Sequence, residues 1–129
     1  MEKSRAKNIL LVDDQKNFLS ILAAELGGGS GSNFRIITAE NGERALKVLE
    51  SAQVDLVVTD LKMPVMNGYD LISHMKIKYP RIPVIVVSSF LYPEWETRLK
   101  ALGVSQYIDK EFFSVSALEE MIIKNWQGV

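Results

Sequence analysis

Three aspartates stand directly after apolar stretches of the chain, at positions where short buried strands would end. Asp13 and Asp14 follow residues 9–12, and Asp60 follows residues 55–59. Three carboxylates at one edge of a sheet would repel one another, so such a cluster usually needs a cation or a basic side chain. Oxygen ligands suit a hard divalent ion such as Mg²⁺, which takes one or two protein carboxylates and keeps several waters. The aspartates therefore predict a magnesium site.

Hydroxyl and ammonium groups follow two further apolar stretches. Ser88 and Ser89 come after residues 83–87, and Lys110 comes after residues 105–108. Taken singly, each group has an ordinary explanation, because aspartates cap helices, a serine can be a loop hydroxyl and a lysine a solvated charge. Taken together, they predict a pocket suited to a phosphoryl group, with cations for its charge, a hydroxyl for its oxygens and a carboxylate as nucleophile.

Five short apolar runs have the composition of β-strands, and amphipathic patterns separate them. The runs are residues 8–12, 34–38, 55–59, 83–87 and 105–108. Apolar side chains recur at three- and four-residue spacings within residues 18–26, 45–49, 71–79, 95–102 and 115–122, the last after Ser114 as a candidate N-cap. Strict alternation of strands and helices predicts an α/β fold with one parallel sheet covered on both faces. Ligands bind such sheets beyond the carboxyl ends of the strands.

The composition is typical of a single globular domain. The chain has 129 residues, of which 47% are hydrophobic and 24% charged, with a net charge of −1 and no cysteine. We expect one domain over residues 1–129, which could have been excised from a longer protein. No stretch is long enough to span a membrane, no secretory signal is recognisable, and the net charge offers no attraction to nucleic acid. These features predict a cytoplasmic protein that binds neither membranes nor DNA directly.

One segment, residues 27–33, is rich in glycine and serine and follows a predicted helix. A dinucleotide-binding loop needs a strand before it and a helix after it, and the GxGxxG spacing is also absent. We expect a flexible loop here.

Five short motifs resemble the receiver domain of response regulators in order and spacing. They are Leu11-Val12-Asp13-Asp14, Asp60-Leu61-Lys62-Met63-Pro64, Asn67-Gly68, Pro83-Val84-Ile85-Val86-Val87-Ser88 and Tyr107-Ile108-Asp109-Lys110. The resemblance covers nearly the whole chain. It implies a doubly wound, flavodoxin-like fold with a five-stranded parallel sheet in the order 2-1-3-4-5.

The resemblance also implies a role for each site residue. Asp60 would be the phosphoacceptor, and Mg²⁺ would be bound by Asp14, Asp60 and the backbone carbonyl of Lys62, with Asp13 acting through its water shell. Lys110 would pair with the phosphoryl group and Ser88 would hydrogen-bond to it. Tyr107 would be the switch aromatic that turns inward, although it could instead be a plain residue of an edge strand.

Two positions depart from the family pattern. Glu111 stands where the family usually has a proline, commonly after a cis bond, and a cis bond without proline is costly. Ser89 stands where alanine or glycine is usual, and its bulk could narrow the pocket.

His74 falls off the apolar stripe of its helix and is expected at the surface. The aromatic residues Tyr92, Trp95 and Trp126 would lie near the output face, although core packing explains Trp95 equally well.

Three functions compete. The first is a switch that takes phosphate from a histidine kinase or phosphotransfer protein and acts on an output domain or a second copy through its fourth helix, fifth strand and fifth helix. The second is a magnesium-dependent phosphohydrolase with an aspartyl-phosphate intermediate, but that class generally has an acid two residues after the nucleophile, where this chain has Lys62. The third is a phosphate-independent interaction module, which the retained charged residues disfavour. The sequence favours a switch that is not an enzyme.

Overall fold

All five apolar runs form strands in the computed structural model, which describes residues 6–28, 34–89 and 93–126. The strands are β1 (Lys7–Val12), β2 (Phe34–Ala39), β3 (Leu56–Thr59), β4 (Val84–Ser88) and β5 (Gln106–Asp109). Each observed bound lies within one residue of the expected one. The difference closest to the predicted site is at β4. Ser88 is the last residue of this strand, whereas the sequence analysis placed it after the strand.

The helices are α1 (Lys16–Gly28), α2 (Gly42–Ser51), α3 (Gly68–Lys78), α4 (Pro93–Ala101) and α5 (Val115–Lys124), with a 3₁₀ turn at Lys110–Phe112. Side-chain oxygens of Asn41, Asn67 and Ser114 accept hydrogen bonds from backbone N–H groups in the first turns of α2, α3 and α5. The predicted N-cap at Ser114 is therefore confirmed. Among the described residues, no helix has the length and apolar character needed to cross a bilayer.

The expectation of a loop over residues 27–33 is wrong at its start. Gly27 and Gly28 are the last residues of α1, while residues 29–33 lie outside the described part of the chain. A Cβ atom on Gly27 would lie 3.1 Å from Cγ1 of Ile36 on β2. Close packing of the helix end on β2 therefore overrides the weak helix propensity of glycine.

The sheet is entirely parallel in the order β2-β1-β3-β4-β5, which confirms the predicted topology. Val12 at the end of β1 pairs with Thr59 at the end of β3. The residues that follow these strands therefore come side by side, and the N–H of Asp60 donates to the carbonyl of Val12 at 3.0 Å. The sheet thus places the first and third strand ends next to each other.

Both faces of the sheet are buried, as the continuous apolar runs predict. On one face, Ile9, Leu11 and Val58 pack with apolar residues of α1 and α5. On the other face, Leu10 and Val57 pack with α2 and α3. Alternate residues of a strand point to opposite faces, so a shift of one residue would exchange the two sets and mismatch each with the helices that cover it. Burial of both faces therefore fixes the register of the strands and the positions at which they end.

The loop after β3 folds back tightly on Asp60. The N–H of Gly68 donates to the carbonyl of Leu61 at 2.9 Å, and a Cβ atom on Gly68 would lie only 2.1 Å from the backbone oxygen of Asp60. Only a residue without a side chain allows this approach. In the same loop, Val65 has a φ of 71° and is exposed.

Candidate functional site

Asp60 lies at the end of β3 and is almost entirely buried, with 6% of its surface exposed. Its Oδ1 accepts hydrogen bonds from the Ser88 hydroxyl at 2.5 Å and the Leu61 N–H at 2.7 Å, and the Lys62 N–H lies 3.4 Å away. Its Oδ2 accepts from Nζ of Lys110 at 3.1 Å. Four donors from three separate segments of the chain thus converge on one carboxylate.

Lys110 bridges two of the aspartates. Its Nζ lies 2.8 Å from Oδ2 of Asp13 and 3.1 Å from Oδ2 of Asp60, and only 11% of its side chain is exposed. Burial lowers the pKa of Lys110, but the hydrogen bond to Asp13 and the charges of Asp60 and Asp13 outweigh burial, so the pKa is raised. The lysine is therefore held as an ammonium ion between two carboxylates.

Asp13 is buried at the end of β1 with 3% of its surface exposed. Burial raises the pKa of its carboxyl, the hydrogen bonds from Lys110 and the N–H of Gln15 lower it, and repulsion from Asp60 raises it again, so the pKa ends above its ordinary value. The hydrogen bond and charge of Lys110 therefore do not fully offset the cost of burying the ionised Asp13 carboxylate.

The three aspartates form one cluster. Asp13, Asp14 and Asp60 each offer a carboxylate oxygen, and these oxygens all lie within 4.8 Å of one another, with Asp14 exposed to solvent. The donor set consists of oxygens, and the ammonium of Lys110 is shared between two of the three carboxylates. These properties fit a hard divalent cation such as Mg²⁺. The predicted convergence of the strand ends is confirmed.

Comparison with known proteins decides the family. A model of the response regulator receiver domain matches residues 9–123, which is most of the chain. The chain belongs to the response regulator receiver domain family. Receiver domains are the phosphorylation-linked signalling modules of two-component systems, so the expected family is confirmed.

Several relatives of this receiver domain are similar over most of its length. It is 33% identical over 106 residues to the two-component response regulator ORR11 of Oryza sativa, covering 80% of this chain and 70% of that protein. It is 32% identical to the response regulator TrrA of Thermotoga maritima, solved in complex with Mg²⁺–BeF, with a TM-score of 0.78 and coverage of 92% and 97%.

Other relatives are longer than this chain. The response regulator GtcR of Aneurinibacillus migulanus is 30% identical over 113 residues, covering 88% of this chain but 45% of GtcR. For the transcriptional regulatory protein GlrR of Escherichia coli, the match covers 18% of that protein. The receiver domain thus spans less than half the length of these relatives.

Two residues of the site escaped the sequence analysis. The side-chain Oε1 of Gln15 accepts from Nζ of Lys110 at 2.7 Å, and the ring of Phe18 lies 4.6 Å from the same Nζ. Gln15 directly follows the Asp13-Asp14 pair, and Phe18 lies one helical turn later. Their position beside the pair was the available signal, but Phe18 also fits the apolar stripe of α1. Both residues orient the ammonium group of the receiver domain.

Tyr107 of the receiver domain lies outside the charged cluster. Its hydroxyl donates to a carboxylate oxygen of Glu96 on α4, and its ring meets Trp95 edge to face, with centroids 4.7 Å apart. The hydrogen bond to Glu96 raises the pKa of the phenol above its ordinary value. Tyr107 is therefore engaged with α4 and not with Ser88.

The departures from the family pattern do not disturb the backbone. Among the described residues no peptide bond is cis, so Glu111 follows Lys110 through a trans bond and enters the 3₁₀ turn. The Asp109 side chain accepts from the Glu111 N–H at 2.9 Å and caps that turn. Ser89 is half-buried. The expected metal role of the Lys62 carbonyl stays a prediction, and the Lys62 side chain is exposed.

The remaining aromatic and histidine residues divide between core and surface. His74 is exposed, as expected. Trp95 is half-buried in the cluster between the sheet and α4, and Trp126 packs against the core on the side of α1 and α5. Tyr92 lies outside the described residues.

Proposed function

We propose that this receiver domain is a phosphorylation-controlled switch in which Asp60 accepts a phosphoryl group from a histidine kinase or a phosphotransfer protein. The observation that carries the proposal is the convergence of Lys110, Ser88 and the Leu61 N–H on the Asp60 carboxylate. These groups supply a cation and neutral donors where a phosphoryl group would add negative charge.

The transfer would make one bond and break one. A carboxylate oxygen of Asp60 forms a bond to phosphorus, the bond between phosphorus and the donor nitrogen breaks, and the nitrogen keeps its electron pair and takes up a proton. Lys110 would then pair with phosphoryl oxygens, and Ser88 would turn its hydroxyl toward them. Both groups already point at Asp60, so little rearrangement is needed.

A magnesium ion belongs to the same proposal. Asp14 and Asp60 would supply carboxylate oxygens, Asp13 would act through metal-bound water, and the Lys62 carbonyl would be the remaining protein ligand. When bound, Mg²⁺ would neutralise charge on the phosphoryl oxygens. The similar protein TrrA was solved with Mg²⁺–BeF, which supports this assignment.

The output would be read at the face formed by α4, β5 and α5. After phosphorylation, Ser88 would move toward the phosphoryl group and Tyr107 would turn inward, so that this face changes shape. A partner, a joined output domain or a second copy of the chain would bind there. The greater length of GtcR and GlrR supports an output segment in such proteins. Cytoplasmic location, single-domain organisation and the absence of an enzymatic activity of its own stay predictions.

Incubation with phosphoramidate and Mg²⁺, followed by intact-mass measurement, tests the proposal. We expect the wild type to gain one phosphoryl group and Asp60→Asn to gain none. The exposed aspartate Asp70 on α3 provides the matched control, because Asp70→Asn removes the same charge outside the cluster. A mass gain that persists in Asp60→Asn, or its absence from a folded wild type, would refute the assignment. Steady release of phosphate over many turnovers would instead favour the phosphohydrolase.

A further inference from the structure

Tyr107 lies on β5, on the strand next to the one that carries Ser88. Val86 pairs with Tyr107 and Ser88 pairs with Asp109, so Tyr107 lies one strand over and two residues before the level of Ser88. Side chains alternate along strands, and Val86, Ser88 and Tyr107 therefore share one face of the sheet. The Tyr107 ring packs in the cluster that contains Val86 and Leu99.

Two adjacent residues of α4 contact Tyr107. The phenol donates to the Glu96 carboxylate, and the ring lies edge to face on Trp95 at an interplanar angle of 86°. Among the described residues, Tyr107 is the only side chain that hydrogen-bonds or ion-pairs with Glu96. The bond joins α4 to β5 across a sequence separation of 11 residues.

Loss of this bond accompanies any inward turn of Tyr107. In the outward orientation seen here, the Tyr107 hydroxyl donates to the Glu96 carboxylate. A Tyr107 ring turned inward, toward Ser88, would lose this hydrogen bond. A contact that exists in one of two conformations favours that conformation by the free energy of the contact. Every ligand that favours the other conformation must then bind more weakly.

We propose that Glu96 is a positioning residue that holds Tyr107 in its outward orientation and thereby weakens occupation of the phosphoryl site at Asp60. The inference rests on the proposed function, because it requires that site occupation and the inward turn of Tyr107 are linked. Glu96 does not touch the phosphoryl site and acts only through Tyr107. Removal of its carboxylate therefore tightens binding of a phosphoryl mimic.

Beryllofluoride with Mg²⁺ is the probe, and the fluorescence of Trp95 is the readout. The indole Nε1 of Trp95 is buried and has no hydrogen-bond partner among the described residues, so its emission responds to departure of the Tyr107 ring. The chain has two tryptophans, and Trp126→Phe leaves Trp95 as the only one. Titrations in this background give an apparent dissociation constant for each variant.

Glu94 offers a matched control for Glu96. Both acids lie in the first turn of α4, so Glu94→Ala and Glu96→Ala remove the same charge from the same end of the helix dipole. The expected result is that Glu96→Ala tightens beryllofluoride binding about fivefold, the size of one exposed charge-assisted hydrogen bond, while Glu94→Ala changes it less than about twofold. Glu96→Gln, which can still accept a weaker bond, falls between.

A double-mutant cycle with Tyr107→Phe separates the contact from a general effect on the fold. In the Tyr107→Phe background the bond is already absent, so Glu96→Ala should no longer tighten binding. Equal affinities in all folded variants, or a tightening that persists with Phe at position 107, would overturn the inference alone. A folded wild type that binds no beryllofluoride would overturn the proposed function and the inference together. Thermal unfolding of each variant confirms that it is folded.

Discussion

The ammonium group of Lys110 lies 2.8 Å from a carboxylate oxygen of Asp13, and 4% of the Asp13 side chain is exposed. The cation of such a pair is costly to remove, because the carboxylate charge would then stay unpaired in a poorly solvated place. The same ammonium also serves Asp60. Lys110 is therefore expected to matter for the metal-free fold as well as for phosphoryl binding.

Replacement of Lys110 by methionine should destabilise the metal-free protein. Asp13 and Asp60 then face each other without a cation, and loss of one partner from a buried pair costs about 3 kcal/mol of unfolding free energy. Urea unfolding in the presence of a chelator measures the loss, and added Mg²⁺ should restore part of it. Lys47→Met on the exposed face of α2 is the control. Equal stability of the two variants would contradict the expectation.

Asp13→Asn should stabilise the metal-free protein at neutral pH, and Lys110 keeps Asp60 as a carboxylate partner in this variant. Because the pKa of Asp13 is raised in the folded state, the folded protein holds its proton at pH values where the unfolded chain has lost it. Wild-type stability therefore falls as the pH rises from the unfolded-state pKa, about 3.9, through the raised folded pKa. The gain in Asp13→Asn should grow across this window and vanish below it. Urea unfolding as a function of pH measures this gain, and Asp70→Asn is the control. The prediction is wrong if the unfolding free energy of Asp13→Asn does not exceed that of the wild type at pH 7.

Magnesium binding should need both Asp14 and Asp60. A weakly bound ion that keeps most of its waters depends on few protein oxygens, so loss of either carboxylate should weaken binding about tenfold or more. Isothermal titration with MgCl₂ measures the affinity of Asp14→Ala and Asp60→Asn, and Asp70→Ala controls for net charge. An unchanged affinity in Asp14→Ala would show that this exposed carboxylate is not a ligand.

Gly68→Ala should damage both stability and the site. A Cβ atom there would lie 2.1 Å from the carbonyl oxygen of Asp60, so the loop after β3 must move. Overpacking of this kind typically costs about 1–3 kcal/mol, and here it also displaces the Asp60 backbone. Gly27→Ala is the matched control, since its Cβ meets only side-chain atoms of Ile36, the nearer of them at 3.1 Å. We expect Gly68→Ala to be less stable in chemical denaturation, and less readily phosphorylated by phosphoramidate, than Gly27→Ala.

The phosphorylated state should be long-lived. Hydrolysis needs a water aligned with the phosphoryl group, and the residues two positions after Asp60 and Ser88 are Lys62 and Phe90, neither of which suits that task. Lys62 is exposed, and Phe90 lies outside the described residues. We expect Lys62→Asn and Phe90→Glu to accelerate decay, singly and more strongly together. The measurement is the decay of the phosphorylated protein, followed by intact mass with Mg²⁺ present. Equal decay rates in the wild type and both variants would contradict this prediction.

The sequence alone determined the fold class and the location of the site, and the resemblance to receiver domains implied the strand order. Strand bounds were predictable within one residue because the runs are rich in β-branched and other apolar residues, and polar residues such as Asp13 and Asp60 follow them. Alternation with amphipathic helices requires a parallel sheet, and a parallel sheet brings the carboxyl ends of its strands to one edge. The type of residue at each strand end then specified a site for cations and phosphate. Gly27 shows the limit, because propensity predicted a loop where packing on Ile36 completes a helix.

Only the tertiary structure decided how the side chains are paired. Lys110 contacts Gln15, which is 95 residues away in sequence, and Asp60, which is 50 residues away. Spacing along the chain cannot predict such pairs, because they depend on how far each helix and turn is displaced over the sheet and on the rotamer that packing allows. The same holds for Tyr107, whose sequence position is compatible with either orientation. Its contacts with Glu96 and Trp95 exist because α4 packs beside β5, and that placement is set by the core as a whole.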